Sequence, residues 1–310
     1  MRRTLRIGTR GSSLALAQSR WVQATLRQRY RDLAVVLVTI QTSGDRFVTQ
    51  PLGAIGGKGL FVKEIEAALT AKAIDCAVHS MKDVPSELAP GLLIAAMPRR
   101  EDPRDVLVTR AGWTFHQLPR GCRVGTSSLR RMALIRALRD DLEVTALRGN
   151  VDTRLRKLDT GVIDAAILAA AGLRRLGIER PGVVCLDPQH FIPAIGQGAL
   201  AIESRDDDTR ALLAPLDHRD TRVAVTAERA FLLRVGGSCR TPLAAHANVR
   251  GDALVLRALI ANPDGTQVVR GTRTGTSAWA AHLGTDLAAE LLGRGGAEIL
   301  RALGEVNGGW

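Results

Sequence analysis

The stretch Cys122-Arg123-Val124-Gly125-Thr126-Ser127-Ser128-Leu129-Arg130-Arg131 decides the fold class of this chain. It predicts a strand that ends at Gly125, a short hydroxyl-rich loop and a helix that begins at Ser128, which is the strand-loop-helix order of α/β proteins. The first N–H groups of such a helix, together with the loop hydroxyls, favour a bound anion. Arg130 and Arg131 lie in the first helical turn, where a cation opposes the helix dipole unless an anion is present. The stretch therefore predicts an anion site in an α/β fold.

Three further junctions have the same character: Thr9-Arg10-Gly11-Ser12-Ser13, Ser80-Met81-Lys82-Asp83-Val84-Pro85 and Leu147-Arg148-Gly149-Asn150-Val151-Asp152-Thr153-Arg154. Loops that leave the carboxyl ends of strands in an open sheet line one crevice, where ligands bind. A crevice lined by guanidinium groups suits a substrate with several carboxylates or phosphates. For a single junction, the alternative is a solvated basic helix start, and four converging junctions favour a shared site.

Asp83 is an acid among these cations. The alternative interpretation is an exposed Lys82–Asp83 ion pair before a proline turn, which would contribute little energy. Neighbouring arginines would keep the carboxyl group ionised. A fixed carboxylate stabilises positive charge that develops during a reaction, without reorganising. Asp83 therefore predicts a carbocation-like intermediate on an electron-rich, carboxylated ring.

The composition argues for a folded α/β protein and against a nucleic-acid binder. The chain has 310 residues, of which 45% are hydrophobic, a length that allows two or three domains. Its net charge of +12 is typical of proteins that bind nucleic acid. However, only 3% of the residues are aromatic and could stack on bases, and the arginines form no basic run. Nucleic acid is therefore not expected as a partner.

The cysteines indicate a reducing compartment. The 4 cysteines show no C-x-x-C pair and no zinc spacing, and the histidines show no ligand spacing, so no metal is predicted. No signal peptide or membrane-spanning stretch is evident, and we expect a cytoplasmic protein. Cys239 follows glycines in a loop and precedes Arg240, which would favour the thiolate. The alternative for Cys239 is a small buried apolar residue.

The predicted organisation is two lobes like those of solute-binding proteins, with mostly parallel sheets around a hinged cleft, and a small C-terminal α+β domain. Lobe 1 comprises residues 1–98 and 197–216, lobe 2 residues 99–196, and the third domain residues 217–310. The glycine-rich loop 44–59 is expected to be a lid, with a merely floppy connection as the alternative. The predicted strands are 5–8, 35–40, 75–79, 92–96, 106–108, 122–125, 142–146, 165–168 and 197–203. The predicted helices are 13–29, 61–71, 128–139, 151–159 and 169–176. The third domain has a helix 221–235 capped by Thr221, antiparallel strands 242–249, 253–261 and 267–274, and a closing helix 277–303 broken near 293–296.

Several of these segments resemble the porphobilinogen deaminases, also called hydroxymethylbilane synthases. The similar segments are 5–18, 56–61, 75–85, 100–105, 124–131, 147–158, 192–203 and 228–239, and they follow the family order over essentially the whole chain. The most specific are His79-Ser80-Met81-Lys82-Asp83-Val84-Pro85 and 125–131.

The resemblance implies a monomeric enzyme that condenses four porphobilinogen molecules head to tail, with loss of ammonia, into a linear tetrapyrrole. It implies a dipyrromethane cofactor held by a thioether to Cys239, and Asp83 as the catalytic acid. Ala54 stands where many relatives have Lys, which leaves the contribution of the lid to anion binding open. The implied cofactor- and substrate-binding residues are Arg10, Ser12, Lys82, Thr126, Ser128, Arg130, Arg131, Arg148, Gly149 and Arg154, with Lys58 and Phe61 at the lid and Gln197 and Gly198 at the hinge. The alternatives are a solute-binding or effector-sensing module without chemistry and a basic nucleic-acid binder.

Overall fold

The computed structural model describes residues 4–42, 62–236 and 241–304. The chain divides into two compact units, each built from discontinuous segments. Unit 1 comprises Met1–Glu101, Arg175–Gly177 and Ala199–Thr221, and unit 2 comprises Asp102–Arg174, Ile178–Gly198 and Arg222–Trp310.

In the described residues, strands and helices alternate up to residue 80 and again from residue 123 to residue 175, and four strands follow one another between residues 76 and 125. The strands are β1 Thr4–Thr9, β2 Ala34–Thr39, β3 Cys76–Ser80, β4 Leu92–Ala96, β5 Asp105–Thr109, β6 Arg123–Gly125, β7 Glu143–Thr145, β8 Ala165–Ala169, β9 Val183–Cys185, β10 Leu200–Arg205, β11 Leu243–Arg250, β12 Ala253–Ala261 and β13 Val268–Thr276. The helices are α1 Ser13–Arg29, α2 Lys63–Thr70, α3 Leu129–Leu138, α4 Val151–Asp159, α5 Ala170–Arg175, α6 Thr209–Leu213, α7 Arg219–Val235, α8 Ala280–Leu291 and α9 Ala297–Ala302.

Unit 1 contains a 5-stranded sheet in the order β2-β1-β3-β10-β4. Strands β1, β2 and β3 are parallel, whereas β10 runs antiparallel to both β3 and β4. Helix α1 buries Val22 and Leu26 in the same apolar cluster as Ile7 and Val35. The carboxyl ends of β1 and β3 therefore lie at the same edge of this sheet.

Unit 2 contains a second 5-stranded sheet, in the order β7-β6-β8-β5-β9. Strands β6, β7 and β8 are parallel, and β5 runs antiparallel to β8 and β9. Buried side chains of β6, β8 and α3, such as Val124, Ile167 and Leu134, form its core. These two sheets confirm the predicted α/β class with mostly parallel strands.

The C-terminal segment forms the predicted 3-stranded antiparallel sheet, in the order β11-β12-β13. One face packs on α7 and α8 through an apolar cluster that includes Phe231, Leu256 and Leu287. Ala244 and Leu259 on the other face share a cluster with Val124 of the second sheet. The closing helix is interrupted at Arg294 and Gly295, where the backbone leaves the helical region.

The predicted cap at Thr221 is wrong, and the helix that follows Asn150 has no side-chain cap. Helix α7 begins at Arg219, so Thr221 is inside its first turn, where the hydroxyl accepts a hydrogen bond from Arg100 N at 2.9 Å. Asn150 does occupy the position before α4, but its side chain makes no capping hydrogen bond. Short polar residues near a helix start are ambiguous in sequence because several partners compete for them.

No helix in the described part of the chain has the length and apolarity needed to cross a membrane. Among the same residues, no group of three or more His, Cys, Asp or Glu side chains is arranged to hold a metal ion.

Candidate active site

Two strand ends of unit 1 place predicted site residues around one pocket. Arg10 and Ser12 follow β1, and Ser80 and Asp83 follow or end β3. These four side chains, with His79, line the same small pocket. Because β1 and β3 are parallel neighbours, their carboxyl ends meet there. Unit 1 thus brings a cation, hydroxyl groups and the predicted catalytic acid together.

Local hydrogen bonds shape this pocket. Ser12 is the N-cap of α1, and its Oγ accepts from Ala15 N at 3.3 Å. One turn further on, Gln18 Nε2 donates to Ser80 Oγ over 2.9 Å, which ties α1 to the end of β3. A single 3-10 turn, Met81–Asp83, then places Met81 in the core and Asp83 in solvent. Asp83 is therefore an exposed acid on a turn with a buried anchor.

His79 forms a buried pair with Glu203 of β10. His79 Nε2 lies 2.9 Å from Glu203 Oε2, and within the described part of the chain Glu203 Oε1 makes no hydrogen bond. The pKa of Glu66 is raised, mainly because the side chain is partly buried. A hydrogen bond from Ala89 N lowers this pKa, and the negative charge of Glu203 raises it. The buried contact between the His79 imidazole and the Glu203 carboxylate fixes the position of His79 in the pocket wall.

Two strand ends of unit 2 come together in the same way. Strands β6 and β7 are parallel neighbours, and the loops after them are joined by a hydrogen bond from Ser127 Oγ to Leu147 O at 3.0 Å. Thr126 is buried, and its Oγ1 accepts from Ser128 N at 3.2 Å. Ser128 caps α3 by accepting from Arg131 N at 3.5 Å. The structure therefore brings the 125–131 and 147–154 junctions to one edge of the second sheet.

Two glycines are required at these junctions for different reasons. A Cβ on Gly125 would lie 2.7 Å from Ile163 Cδ1 and 2.9 Å from Leu147 Cδ2, so the close packing of β6 leaves no room for a side chain. Gly149 has φ +106°, a left-handed conformation that favours glycine. Its carbonyl accepts from Arg154 Nε at 2.8 Å, so Arg154 braces the loop that carries Arg148.

Arg130 and Arg131 are not solvated cations, because they are only 4% and 6% exposed. Asp105, at the start of β5, is fully buried beside them. Arg131 donates from Nε and Nη2 to Asp105 Oδ1 at 3.1 and 2.7 Å. Arg130 Nη1 lies 2.7 Å from Asp105 Oδ2 and donates to Ile192 O, so its contact with Oδ2 is an ion pair rather than a well-aligned hydrogen bond.

The protonation states of this cluster follow from burial and charge. Burial alone would raise the pKa of Asp105, but the charges of Arg130 and Arg131 outweigh burial and hold that pKa well below its usual range. Burial lowers the pKa of Arg130, and the charge of Asp105 opposes that shift. Asp105 therefore stays ionised near neutral pH.

The predicted hinge residues lie where the chain leaves unit 2. Gln197 is buried and donates from Nε2 to Pro103 O at 2.6 Å and to Asp105 Oδ1 at 2.9 Å. Gly198 has φ +85°, and the chain enters unit 1 at Ala199. The hinge role of both residues stays a prediction.

Most of the remaining predicted site residues lie outside the described residues. Cys239, Lys58, Phe61 and the lid loop lie outside the described residues. Lys82 is half-buried on the turn that carries Asp83. The Asp105 cluster and the Glu203 partner of His79 were not predicted from the sequence. Both acids lie in segments that resemble the family, 100–105 and 192–203, but a local pattern does not show their distant partners.

A cavity of about 380 Å³ lies elsewhere in unit 2. It is larger than the unit 1 pocket but contains none of the predicted site residues, so size alone does not identify the active site. Its lining residues include Arg110, Trp113, Arg120, Cys122 and Asp164.

Comparison with known families gives two matches that together span most of the chain. Residues 5–212 match the model of "porphobilinogen deaminase, dipyromethane cofactor binding domain". Residues 223–293 match "porphobilinogen deaminase, C-terminal domain". The chain belongs to the porphobilinogen deaminase family. As a member of that family it is an enzyme, a transferase that polymerises porphobilinogen, and it carries the family's cofactor-binding domain.

Two relatives with nearly full coverage are also porphobilinogen deaminases. The porphobilinogen deaminase of Syntrophobacter fumaroxidans is 52% identical over 303 residues, which cover 97% of this chain and 98% of the relative. The porphobilinogen deaminase of Roseiflexus castenholzii is 52% identical over 302 residues, covering 97% and 99%. The solved structure of the periplasmic aliphatic sulphonate binding protein SsuA from Escherichia coli is 18% identical, with TM-score 0.41 and coverage of 74% and 70%, a likeness that says nothing about ligand or activity.

Proposed function

We propose that this porphobilinogen deaminase family member acts as a hydroxymethylbilane synthase through the residues assembled above. It joins four porphobilinogen units head to tail onto a dipyrromethane primer, releases ammonia at each step and frees the linear tetrapyrrole by hydrolysis. The observation that carries the assignment of residues is the unit 1 pocket, where the acid Asp83 lies with the cation Arg10 and the hydroxyl of Ser12.

Asp83 stabilises positive charge on the substrate. When ammonia leaves porphobilinogen, positive charge develops on the pyrrole nitrogen, and a fixed carboxylate nearby lowers the energy of that state. The short Met81–Asp83 turn holds Asp83 by its buried first residue, so little reorganisation is needed. The same carboxylate then stabilises the cation while the next carbon–carbon bond forms.

The cations bind the acetate and propionate groups of the pyrroles. Each pyrrole carries two carboxylates, and guanidinium groups bind carboxylates with charge-assisted hydrogen bonds. The described residues suit such a ligand, because Arg130 Nε is buried without a hydrogen-bond partner and two arginines face one Asp105. The residues proposed for this role are Arg10, Ser12, Lys82, Thr126, Ser128, Arg130, Arg131, Arg148, Gly149 and Arg154.

Cys239 is proposed to hold the dipyrromethane by a thioether. When bound, the cofactor supplies the pyrrole carbon to which substrate units are added. Arg240 next to Cys239 favours the thiolate that such a bond requires.

The remaining assignments are part of the same proposal. Lys58 and Phe61 border the lid, and Gln197 and Gly198 act as the hinge. Residues 1–98 with 197–216, residues 99–196 and residues 217–310 are the three proposed domains. The enzyme works as a cytoplasmic monomer, and it does not use nucleic acid as a partner.

The test is turnover with purified protein. Incubation with porphobilinogen should release ammonia in proportion to the substrate consumed and should give a tetrapyrrole, detected by its absorbance after cyclisation and oxidation. Size-exclusion chromatography with light scattering and a duplex-DNA binding titration at physiological salt check the monomer and the absent nucleic-acid partner. Substrate consumption without ammonia or tetrapyrrole would contradict the proposed activity.

A further inference from the structure

Asp105 is a buried acid that contacts three side chains of the candidate site, and no role was predicted for it from the sequence. Its Oδ1 accepts from Arg131 and from Gln197 Nε2, and its Oδ2 lies 2.7 Å from Arg130 Nη1. These partners come from different parts of unit 2, since Arg130 and Arg131 begin α3 and Gln197 precedes the chain's exit to unit 1. Asp105 therefore joins the first turn of α3, the start of β5 and the segment before β10.

We propose that Asp105 is a positioning residue, which fixes the Arg130 guanidinium for a ligand carboxylate and uses Arg131 and Gln197 as its supports. This inference rests on the proposed function, because the carboxylate belongs to the pyrrole ligands. It gives Arg131 a supporting contact with Asp105 in addition to its place among the proposed carboxylate-binding residues.

Arg131 supports the Asp105 carboxylate. Its Nε and Nη2 donate to Asp105 Oδ1, and its Nη1 donates to Ile167 O at 2.7 Å. Three of its five N–H groups are thus used within the protein interior. Arg131 therefore holds the Asp105 carboxylate in place.

Arg130 keeps unused hydrogen-bonding capacity. Its Nη1 donates to Ile192 O, but its buried Nε has no hydrogen-bond partner among the residues that the structure describes. A buried donor without an acceptor destabilises a protein, so such a group in a native structure calls for an explanation. A carboxylate that accepts from Arg130 supplies the missing acceptor.

The charges of the cluster point the same way. Two guanidinium groups face the single carboxylate of Asp105, so the cluster carries one excess positive charge in the protein interior. An uncompensated buried charge is costly, and a bound carboxylate removes that cost. Without Asp105 the excess would double and the guanidinium groups would repel one another. Asp105 thus neutralises one of the two positive charges and leaves the other for one ligand carboxylate, while it contacts both arginines.

The experiment compares Asp105→Asn and Asp105→Glu with Asp164→Asn as the matched control. Asp164 is also bridged by an arginine of unit 2, Arg123, with Nη2–Oδ1 at 2.9 Å, but that bridge is partly exposed and uses none of the site residues. Cofactor occupancy is measured by intact mass, and KM and kcat for porphobilinogen are measured on the cofactor-loaded fraction.

We expect Asp105→Asn to lose most of its cofactor and to raise KM by roughly 10- to 100-fold, since small displacements of a positioned group have effects of that size. Asp105→Glu keeps the negative charge and should retain more cofactor and a lower KM than Asp105→Asn. Asp164→Asn should match the wild type. Full cofactor occupancy and an unchanged KM in Asp105→Asn, with active wild-type protein, would overturn the inference while leaving the proposed function intact.

A second measurement avoids dependence on folding of the Asp105 variants. In protein labelled with ¹⁵N-arginine, the Nε–H groups of Arg130 and Arg131 should exchange with water far more slowly than that of exposed Arg110. The Arg130 Nε–H resonance should differ between the wild type and cofactor-free Cys239→Ser. The Arg131 Nε–H resonance should be the same in both proteins. Exchange as fast as Arg110, or a larger shift at Arg131 than at Arg130, would contradict the assigned roles.

Discussion

His79 Nε2 lies 2.9 Å from Glu203 Oε2, and both side chains are buried between neighbouring strands β3 and β10. His79 also lines the pocket that contains Asp83. The pair therefore connects the sheet core to the wall of the candidate active site.

Replacing Glu203 should destabilise the protein. Glu203→Ala removes one partner of a buried pair, and we expect a loss of about 3 kcal/mol in the free energy of unfolding. Urea unfolding measures this loss. Glu143→Ala, at an exposed position on β7, is the control and should change stability by less than about 0.5 kcal/mol. Equal stabilities of the two variants would contradict the structural role of the pair.

Asp83→Asn should abolish turnover without unfolding the protein. The side chain is exposed, so the melting temperature should stay within about 2 °C of the wild type. Loss of the charge that stabilises the cation should lower kcat by roughly 100-fold or more. Glu87→Gln neutralises another exposed acid close by in the chain and should keep full activity. A near-normal kcat in Asp83→Asn would remove the acid from the mechanism.

Gly125→Ala should destabilise unit 2 and disturb the anion site above it. The added Cβ would lie 2.7 Å from Ile163 Cδ1, so the core must shift, at a cost of about 1–3 kcal/mol. Gly293→Ala is the control, because nothing lies within 4 Å of a Cβ at that position. Thermal unfolding distinguishes the two, and equal melting temperatures would show that the close approach at Gly125 can relax.

Acid should weaken the contribution of Asp105 to stability. Its folded-state pKa lies below the ordinary value of about 4, so the ionised form stabilises the folded protein above that pH. The stabilisation declines as the pH falls from about 4 toward the folded-state pKa. The wild type should exceed Asp105→Asn by about 3 kcal/mol at neutral pH, and by less at about pH 3. A gap independent of pH would mean that Asp105 does not titrate as the structure indicates.

The elements that the sequence predicted well depend on local patterns. Helix α1 runs over Ser13–Arg29 as predicted, because Ser12 caps it and its apolar residues repeat at helical spacing. Helix α4 likewise has the predicted bounds, Val151–Asp159. The family motifs also placed Arg10, Ser12 and Asp83 together, and these residues do line one pocket.

The features that sequence analysis missed depend on distant pairings. Asp105 lies 26 positions from Arg131, and Glu203 lies 124 positions from His79. The order and register of strands that are far apart in the chain decide which acid contacts which basic residue. The hydrophobic periodicity of a sequence does not indicate that order. The burial of Arg130 and Arg131 was missed for the same reason, since a basic helix start alone resembles a solvated one.

Intact-mass measurement of the purified protein tests the central claim most directly. Active wild-type protein should be heavier than its sequence by a covalently bound dipyrromethane, whereas Cys239→Ser should fold and show the mass of its sequence alone. Wild-type protein with full turnover and only the mass of its sequence would contradict the claim that this chain elongates a primer attached to Cys239.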